Sequence, residues 1–330
     1  MVINLTAIFI LSRGRCGLSK CISRYLVSMA VTDLLVIIIA VLFNRVPGIY
    51  FPSSFLSITP VCSLSIASIY AARDCSVWLT VSFTFDRCVV ICFQKLKTKY
   101  CTERTAAVVI GTVCILCCLV NIPWYFLHEP IYIVDGIPWF CKLKKIRYTS
   151  SLWAAFQWID RLLTPCLPFF LVVFLNALTV RHILTASRAR TRLREQSNGE
   201  KQSDSEMKSR RKSIVLLFAI SGSFILLWVA YVVQFFLERF QTDYKIGIFS
   251  GPKFIFLESA NMFQMLSCCT NTFIYAVTQR KFREQVTTMV KYPWIRIIVV
   301  AVISFSSCKR HNGDADSPDG YLDPVNDGCR

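Results

Sequence analysis

The sequence predicts an all-α membrane protein in which seven helices form a transmembrane helix bundle and a short amphipathic eighth helix follows. Of the 330 residues, 54% are hydrophobic and only 17% are charged, and the mean hydropathy is +0.50. A soluble domain typically has about 45–50% apolar and about 25% charged residues. The apolar residues also occur in continuous blocks rather than at amphipathic spacing, which indicates segments that span a bilayer.

Six apolar blocks are long enough to cross a bilayer, which takes roughly 20 mainly apolar residues. They are residues 25–44, 61–85, 105–127, 151–180, 213–237 and 254–278. A further apolar stretch, residues 1–11, is too short to cross alone. We interpret it as the inner half of a first helix that is truncated at its N-terminus, and we expect a fragment or a truncated gene model to explain its length.

The helix limits follow from these blocks and their flanking residues. The first helix ends near Leu11, and the second stops before Pro47-Gly48. The fifth contains Pro165 and Pro168, which membrane helices tolerate and which typically kink them. After the first, the predicted helices cover residues 22–44, 59–93, 104–126, 151–185, 208–238 and 252–278.

Two segments outside the bundle have distinctive compositions. Residues 191–207 are polar and lack aromatic side chains, which predicts a mobile loop. Residues 279–290 are basic, with apolar side chains at helical spacing, which predicts an amphipathic helix on the inner membrane face. The membrane domain therefore covers residues 1–290, and residues 291–330 form a cytoplasmic tail. In that tail, residues 294–305 are either an altered exon end or a second membrane-surface segment, and residues 309–330 are expected to be disordered.

The net charge of +17 does not indicate nucleic-acid binding, because the basic residues lie between apolar blocks on alternate loops. They cluster in residues 13–24, 94–104, 185–212 and 280–291. Cytoplasmic loops favour Lys and Arg. We therefore expect a multi-pass plasma-membrane protein with its N-terminus outside and its C-terminus inside the cell, although the basic loop 128–150 is an exception on the outer side.

The cysteines agree with this orientation. Among the 16 cysteines, only Cys141 lies within an outer loop, and Cys62 lies at the outer start of the third helix. Because disulfides persist in oxidising compartments, these two residues are predicted to form a disulfide. The alternative is a pair of free thiols.

Ionisable residues inside membrane spans are costly and usually functional. The spans contain four such groups of positions: Asp33; Arg73 and Asp74; Asp86 and Arg87; and, nearer the outer side, Asp160, Arg161 and Glu258. For each of them the alternative is a neutralised structural pair within the bundle. Adjacent opposite charges such as Arg73 and Asp74 are open to that interpretation in particular.

Two spacings in this chain resemble class A (rhodopsin-like) G-protein-coupled receptors. Cys62 precedes Arg87 by 25 residues, and Asp86-Arg87-Cys88 is similar to the Asp-Arg-Tyr motif of that family's third helix. Asn4 and Asp33 match the polar residues of the family's first two helices.

The sixth and seventh helices carry partial matches to the same family. Residues 271–275, from Asn271 to Tyr275, are similar to Asn-Pro-x-x-Tyr with Thr in place of Pro. Residues 227–230, which include Trp228, resemble Cys-Trp-x-Pro without the Pro. Within the family, the sequences SANMFQMLSCCTNTFIYAVTQRKFRE and LSRGRCGLSKCISRYLV are similar to the orphan subgroup of G-protein-coupled receptors 139 and 142, whose members are linked to sensing tryptophan, phenylalanine or related peptides.

The resemblance implies a ligand pocket between helices 3, 5, 6 and 7 that is open to the outside. The candidate pocket residues are Arg73, Asp74, Asp160, Arg161, Trp228, Glu258 and Asn261. A pocket of mixed charge would suit a zwitterion such as an amino acid. Trp228 would lie beneath the ligand and reposition helix 6, and the alternative for this residue is core packing.

The resemblance also implies a sodium site. The matching positions are Asp33, Ser76, Ser267 and Asn271, and hard cations prefer oxygen ligands of this kind. The alternative is a water-filled polar network. We expect no cofactor other than this structural sodium ion.

At the inner end, the resemblance implies that Asp86 holds Arg87 in the inactive state and that a moving helix 6 frees Arg87 to meet a heterotrimeric G protein. Asn271 and Tyr275 belong to the same coupling switch. Many relatives add an acidic residue on helix 6, whereas this chain has Lys208-Ser209-Arg210-Arg211-Lys212 there. We therefore predict a weaker lock and some basal activity.

Other function classes fit less well. A transporter would need an internal repeat or broken helices in matching positions, and neither is visible. Helix 7 has no internal Lys for a retinal Schiff base, and no HExxH, nucleophile-elbow or phosphate-loop motif indicates an enzyme. A non-signalling product of a truncated gene is the remaining alternative.

Overall fold

The computed structural model describes residues 1–14, 16–93, 100–196, 204–240, 251–289 and 291. The chain divides into two compact units, Met1–Arg283 and Glu284–Arg330. In the second unit, residues 284–289 are helical. The predictions for residues 294–305 and 309–330 lie outside the described residues.

The first unit is mainly helical. Its α-helices are α1 (Val2–Ser12), α2 (Lys20–Ile37), α3 (Val46–Tyr50), α4 (Thr59–Cys92), α5 (Glu103–Phe126), α6 (Ile146–Thr149), α7 (Ser151–Arg161), α8 (Leu167–Gln196), α9 (Asp204–Phe240) and α10 (Pro252–Thr278). Wider π turns join α2 to α3 (Ile38–Arg45) and α7 to α8 (Leu162–Cys166), and a 3₁₀ turn covers Phe55–Ser57.

Five helical segments of the described chain are long and apolar enough to cross a membrane: Lys20–Tyr50, Thr59–Cys92, Glu103–Phe126, Ser151–Ala186 and Ile214–Gln234. They match five of the six predicted full spans. The sixth, α10, has 27 residues but is less apolar, because Asn261, Gln264 and Asn271 lie within it. The first helix, α1, has 11 residues and is apolar but short, as expected.

The predicted end of the second helix, before Pro47, was wrong. The chain stays helical to Tyr50 because the π turn Ile38–Arg45 precedes the proline. The proline ring clashes with the carbonyl four residues earlier in an α-helix, and a wider turn relieves this clash. At the second π turn, Thr164 has a non-helical backbone and Pro165 follows it, so the predicted break in helix 5 lies there.

The loop predicted over residues 191–207 is shorter in the structure. α8 continues to Gln196 and α9 begins at Asp204, so only residues 197–203 lie outside the described helices. The extension follows from the Arg, Ala, Leu, Glu and Gln residues of 188–196, which have high helix propensity.

Four short strands, which the all-α prediction did not include, form in residues 128–143. β1 (His128–Glu129) pairs with β4 (Lys142–Leu143), and β2 (Tyr132–Val134) pairs with β3 (Ile137–Trp139), both antiparallel. Asp135 and Gly136 have positive φ angles of 52° and 76° at the turn. An Asp-Gly pair suits a two-residue hairpin turn, so this sequence signal could have predicted the hairpin.

α4 lies at the centre of the bundle and packs against α2, α5, α8 and α9. A core cluster joins it to two of them through Val77 and Val81 of α4, Val172 of α8, and Phe224 and Trp228 of α9. The rings of Phe224 and Trp228 stack with 5.3 Å between centroids. α5 is peripheral, and its apolar side chains, such as Val108 and Ile115, are exposed, as suits a helix that faces lipid.

Candidate functional site

Cys62 and Cys141 form a disulfide with 6.1 Å between their Cα atoms. It joins the start of α4 to the loop that carries the hairpin, and two hydrogen bonds support it beside Cys141. Phe140 N donates to Ser57 O at 2.7 Å, and the Thr59 hydroxyl donates to Phe140 O at 2.6 Å. We call this part of the bundle the disulfide end, and the opposite part, where α4 carries Arg87, the Arg87 end.

A buried carboxylate, Asp33, lies in the middle of the bundle. The Ser76 hydroxyl donates to Asp33 Oδ1 at 2.5 Å, and Asn271 Nδ2 donates to Asp33 Oδ2 at 3.0 Å. The Cys268 thiol interacts with the same carboxylate. α2, α4 and α10 thus meet at one polar layer, and no ion pair of Asp33 occurs among the described residues.

The same layer continues to α1. Asn4 Nδ2 donates to the Cys268 carbonyl at 2.9 Å, and the Thr272 hydroxyl donates to Asn4 Oδ1 at 2.9 Å. Asn4 and Thr272 are both buried. Thr272 occupies the position where the family motif has Pro, so the departure from the motif provides a hydroxyl that binds α1.

Trp228 Nε1 donates to the Ser267 hydroxyl at 3.2 Å. Trp228 is 2% exposed and belongs to the core cluster of α4, α8 and α9. Ser267 therefore contacts the tryptophan, whereas Ser76 and Asn271 contact Asp33. Of the four predicted sodium ligands, Asp33, Ser76 and Asn271 are in contact. The fourth, Ser267, lies one helical turn from Asn271 on the same face of α10.

The residues around Asp33 fit a small hard cation in charge and in donor type. In the described part of the chain the Asp33 carboxylate is buried with neutral hydrogen-bond donors, which is costly unless a charge compensates it. Ser76 and Ser267 supply hydroxyl oxygens, and Asn271 carries an amide oxygen.

A second buried polar cluster lies between the Asp33 layer and the disulfide end. Arg73 Nε contacts Asp74 Oδ1 at 3.2 Å, and Asn121 Nδ2 donates to Asp74 Oδ2 at 2.8 Å. The Asn121 Oδ1 atom is buried and has no hydrogen-bond partner in the described structure. Asn121 was not predicted, although it is a lone amide in an otherwise apolar block, which was a usable signal.

Asp160 joins this cluster through aromatic side chains. Trp124 Nε1 donates to Asp160 Oδ1 at 3.3 Å, and the Trp124 ring packs on Tyr70 with 4.6 Å between centroids. The Arg73 guanidinium lies over the Tyr70 ring at 4.7 Å, and Arg73 and Asp160 are close enough to interact electrostatically. The structure therefore brings Arg73, Asp74 and Asp160 together, with Tyr70 and Trp124 between them.

The other predicted pocket residues lie apart from this cluster or at its edge. Arg161 is half-buried and interacts with Asp160. Glu258 pairs with Arg45 at 3.7 Å, and both are substantially exposed, so this pair links the end of the first π turn to α10. Arg45 was missed because its partner is more than two hundred residues away. Asn261 is half-buried on α10.

At the Arg87 end, Asp86 and Arg87 form a buried ion pair. Arg87 Nε donates to Asp86 Oδ2 at 2.9 Å, and Arg87 Nη2 contacts the same oxygen. The Arg87 Cζ atom lies 5.9 Å from the centroid of the Phe83 ring, and the Tyr25 ring packs edge-on against Phe83. The Cys21 thiol, which was not predicted, also contacts Asp86.

Tyr275 is fully buried and packs on Phe282 with 6.2 Å between ring centroids. Its hydroxyl has no hydrogen-bond partner among the described residues. Of the four predicted switch residues, Asp86 and Arg87 are therefore paired, whereas Asn271 belongs to the Asp33 layer and Tyr275 lies one turn further along α10.

Comparison with known proteins agrees with this geometry. The sequence profile of the 7 transmembrane receptor (rhodopsin family) matches residues 3–275. Cysteinyl leukotriene receptor 1 of Sus scrofa is 20% identical over 280 residues, which cover 81% of this chain and 74% of the relative. Because the profile matches most of the chain, including every helix that contributes to the polar clusters, this membrane protein belongs to the rhodopsin family of G-protein-coupled receptors.

Proposed function

We propose that this receptor detects a small extracellular ligand and activates a heterotrimeric G protein through Arg87. The observation that carries the proposal is the buried Asp86–Arg87 pair at the end of α4. A buried guanidinium with one carboxylate partner can be exposed by a modest movement of neighbouring helices. A ligand that favours the moved arrangement shifts the receptor population toward it.

The ligand is proposed to be an aromatic amino acid or a related peptide. The cluster of Arg73, Asp74 and Asp160 combines both charges, and Tyr70 and Trp124 lie between them. A guanidinium binds a carboxylate, a carboxylate binds an ammonium group, and aromatic rings pack on a further ring. The similarity of two segments to the orphan subgroup supports the same ligand class. Cysteinyl leukotrienes, after which the porcine relative is named, are the second class to test.

The proposed orientation has the disulfide end outside the cell and the Arg87 end inside. The Cys62–Cys141 pair supports this orientation, since disulfides persist in oxidising compartments. The basic loops adjoining the Arg87 end support it as well. Residues 280–289 are helical, and we propose that they form the amphipathic eighth helix.

A sodium ion is proposed at the Asp33 layer. Asp33, Ser76 and Asn271 would hold it, with Ser267 available if its hydroxyl turns from Trp228. Bound there, the cation would neutralise the buried carboxylate and link α2, α4 and α10. An ion that fits only the inactive arrangement would stabilise that arrangement.

The inactive state is proposed to be weakly held. Among the described residues, Arg87 forms an ion pair with Asp86 alone. Residues 208–212, where the sequence predicts the start of this helix, contain Lys and Arg but no acid, whereas α9 begins at Asp204 and also includes Glu206. Residues 208–212 cannot add a second carboxylate to the guanidinium, so we expect measurable basal activity.

The decisive experiment is Arg87→Ala with aromatic amino acids as ligands. Wild-type receptor in cells should release calcium or activate a co-expressed G protein with tryptophan or phenylalanine, whereas Arg87→Ala should bind the ligand and fail to signal. Arg13→Ala is the matched control, because Arg13 is an exposed arginine between α1 and α2 whose guanidinium lies over the Phe9 ring. Signalling by Arg87→Ala at the wild-type level would refute the proposed role of Arg87.

Two competing functions have their own outcomes. Substrate flux through the purified protein in liposomes would indicate a transporter. Absence from the cell surface, with recovery when the first helix is extended, would indicate that this form of the chain does not signal.

A further inference from the structure

Two thiols border the Asp86–Arg87 pair. Cys21 Sγ lies 3.7 Å from Asp86 Oδ1 and 3.8 Å from Asp86 Oδ2, and 4.0 Å from Arg87 Nη2. Cys101, in the connection between α4 and α5, interacts with the same carboxylate. Cys21 is on α2 and the ion pair is on α4, so the contact joins two helices.

Both thiols act as hydrogen-bond donors toward this carboxylate. Asp86 Oδ2 accepts from Arg87, and a carboxylate has about four acceptor sites, so Oδ1 has capacity for Cys21. Burial, followed by the nearby Asp86 charge, raises the pKa of Cys101 to about 12. A thiol with such a pKa stays protonated at neutral pH and retains the S–H that it donates.

The position of Cys21 is fixed by its neighbours on α2. Lys20 and Arg24 both pair with Glu103 at the start of α5, at 3.6 Å and 2.5 Å. Ser19 caps the first turn of α2, because its side chain accepts a hydrogen bond from Ile22 N. The turn that carries Cys21 is thus held against α5 on one face while its thiol meets α4 on the other.

We propose that Cys21 is a positioning residue for Arg87, with Cys101 in support. Its thiol ties α2 to the Asp86–Arg87 pair and keeps the carboxylate oriented toward the guanidinium. The contact from α2 therefore restrains the ion pair on α4. This inference rests on the proposed function, because it concerns how the signalling arginine is held before activation.

The experiment uses the purified full chain in lipid nanodiscs with Cys21→Ala, Cys21→Ser and Cys16→Ala. Serine keeps a donor at position 21, whereas alanine removes it. Cys16 is a buried thiol at the same end whose sulfur lies 4.0 Å from the Ile10 carbonyl, so it controls for loss of a buried sulfur alone. One measurement is the rate at which phenylglyoxal modifies Arg87, followed by mass spectrometry, and the other is ligand-independent nucleotide exchange on added heterotrimeric G proteins.

Loss of one hydrogen bond from a weak S–H donor should increase the released population of Arg87 about fivefold. We expect Cys21→Ala to raise both the Arg87 modification rate and the basal exchange by this factor. Cys21→Ser and Cys16→Ala should stay within about twofold of wild type. Adding Arg87→Ala to Cys21→Ala should return basal exchange to the level of Arg87→Ala alone, because the proposed coupling passes through Arg87.

The two measurements separate the inference from the proposed function. If the Arg87 modification rate is the same in Cys21→Ala and Cys16→Ala, the positioning role of Cys21 is wrong, whatever the exchange assay shows. If serine increases modification as much as alanine does, the hydrogen-bonding role is also wrong. If modification rises with Cys21→Ala while no G protein responds to any variant, the positioning role stands and the proposed coupling function fails.

Discussion

Thr272→Val tests the link between α1 and α10. The substitution keeps the shape of the side chain and removes the hydroxyl that donates to Asn4 Oδ1 at 2.9 Å. Asn4 is 1% exposed, so its Oδ1 atom would stay buried without a donor. Hydrogen bonds between membrane helices contribute about 0.6 kcal/mol on average and about 1.7 kcal/mol at most. A buried acceptor that is left without a hydrogen-bond donor costs roughly 1–3 kcal/mol of stability.

The expected loss in free energy of unfolding is therefore about 1–2 kcal/mol for Thr272→Val. Thr270→Val is the matched control, because the exposed Thr270 hydroxyl donates to Leu266 O of its own helix, at 2.7 Å, and not to another helix of the described structure. The control should change stability by less than about 0.5 kcal/mol. Replacing both partners, with Asn4→Leu and Thr272→Val together, should cost less than the sum of the single changes, because the Asn4 Oδ1 acceptor is then absent rather than left without its donor.

The assay is reversible unfolding in mixed micelles, with sodium dodecyl sulfate as denaturant and tryptophan fluorescence as the signal. The four proteins of the double-mutant cycle and the control are compared at one lipid-to-detergent ratio. A Thr272→Val midpoint that coincides with that of Thr270→Val would refute the reasoning. So would strict additivity in the cycle, since it would mean that Asn4 and Thr272 do not interact.

Three further changes test other parts of the bundle. Cys141→Ser opens a disulfide whose partners are 79 residues apart and should lower the free energy of unfolding by roughly 2–4 kcal/mol. Cys118 is an exposed free cysteine, so Cys118→Ser should change stability little. Thermal melting with and without reductant measures both variants. The Tm of the wild-type receptor should be a few degrees higher in about 100 mM sodium chloride than in the same concentration of choline chloride. Asp33→Asn should abolish this difference. An equal rise in the variant would contradict the sodium site. Asn121→Ala should lower the free energy of unfolding by about 2 kcal/mol, because the buried Asp74 carboxylate loses a hydrogen-bond donor. Leu119 is exposed, so Leu119→Ala should cost less than about 0.5 kcal/mol. Equal losses in the two variants would show that the Asn121 amide does not contribute.

The helical membrane architecture could be predicted from the sequence because lipid imposes a simple rule. A spanning segment must be long, apolar and hydrogen-bonded within itself, and all three properties can be identified from composition and block length. The same reasoning identified Asp33 and Asp74, since a polar residue in an apolar span needs a partner. It failed at Pro47, because a π turn depends on packing between helices and has no reliable local signal.

The partners in the polar clusters were harder to predict than their members. Asp33 meets Asn271 across 238 positions of sequence, and Arg45 meets Glu258 across a similar distance. Such pairs follow from how the helices rotate and slide against one another, which a single sequence does not encode in any local pattern. Trp124 illustrates the point, because an aromatic residue at the end of an apolar span gives no hint that its ring nitrogen binds Asp160.

The π turn at Ile38–Arg45 makes one stretch of the bundle tolerant of changes in chain length. A π turn holds an extra residue, so losing one residue there can restore an α-turn while the side chains of α3 keep their directions. The same loss from the middle of α4 would rotate everything beyond it by about 100° and turn Arg87 away from its partners. Insertions and deletions among homologous receptors should therefore accumulate between Ile38 and Arg45 and be excluded from α4.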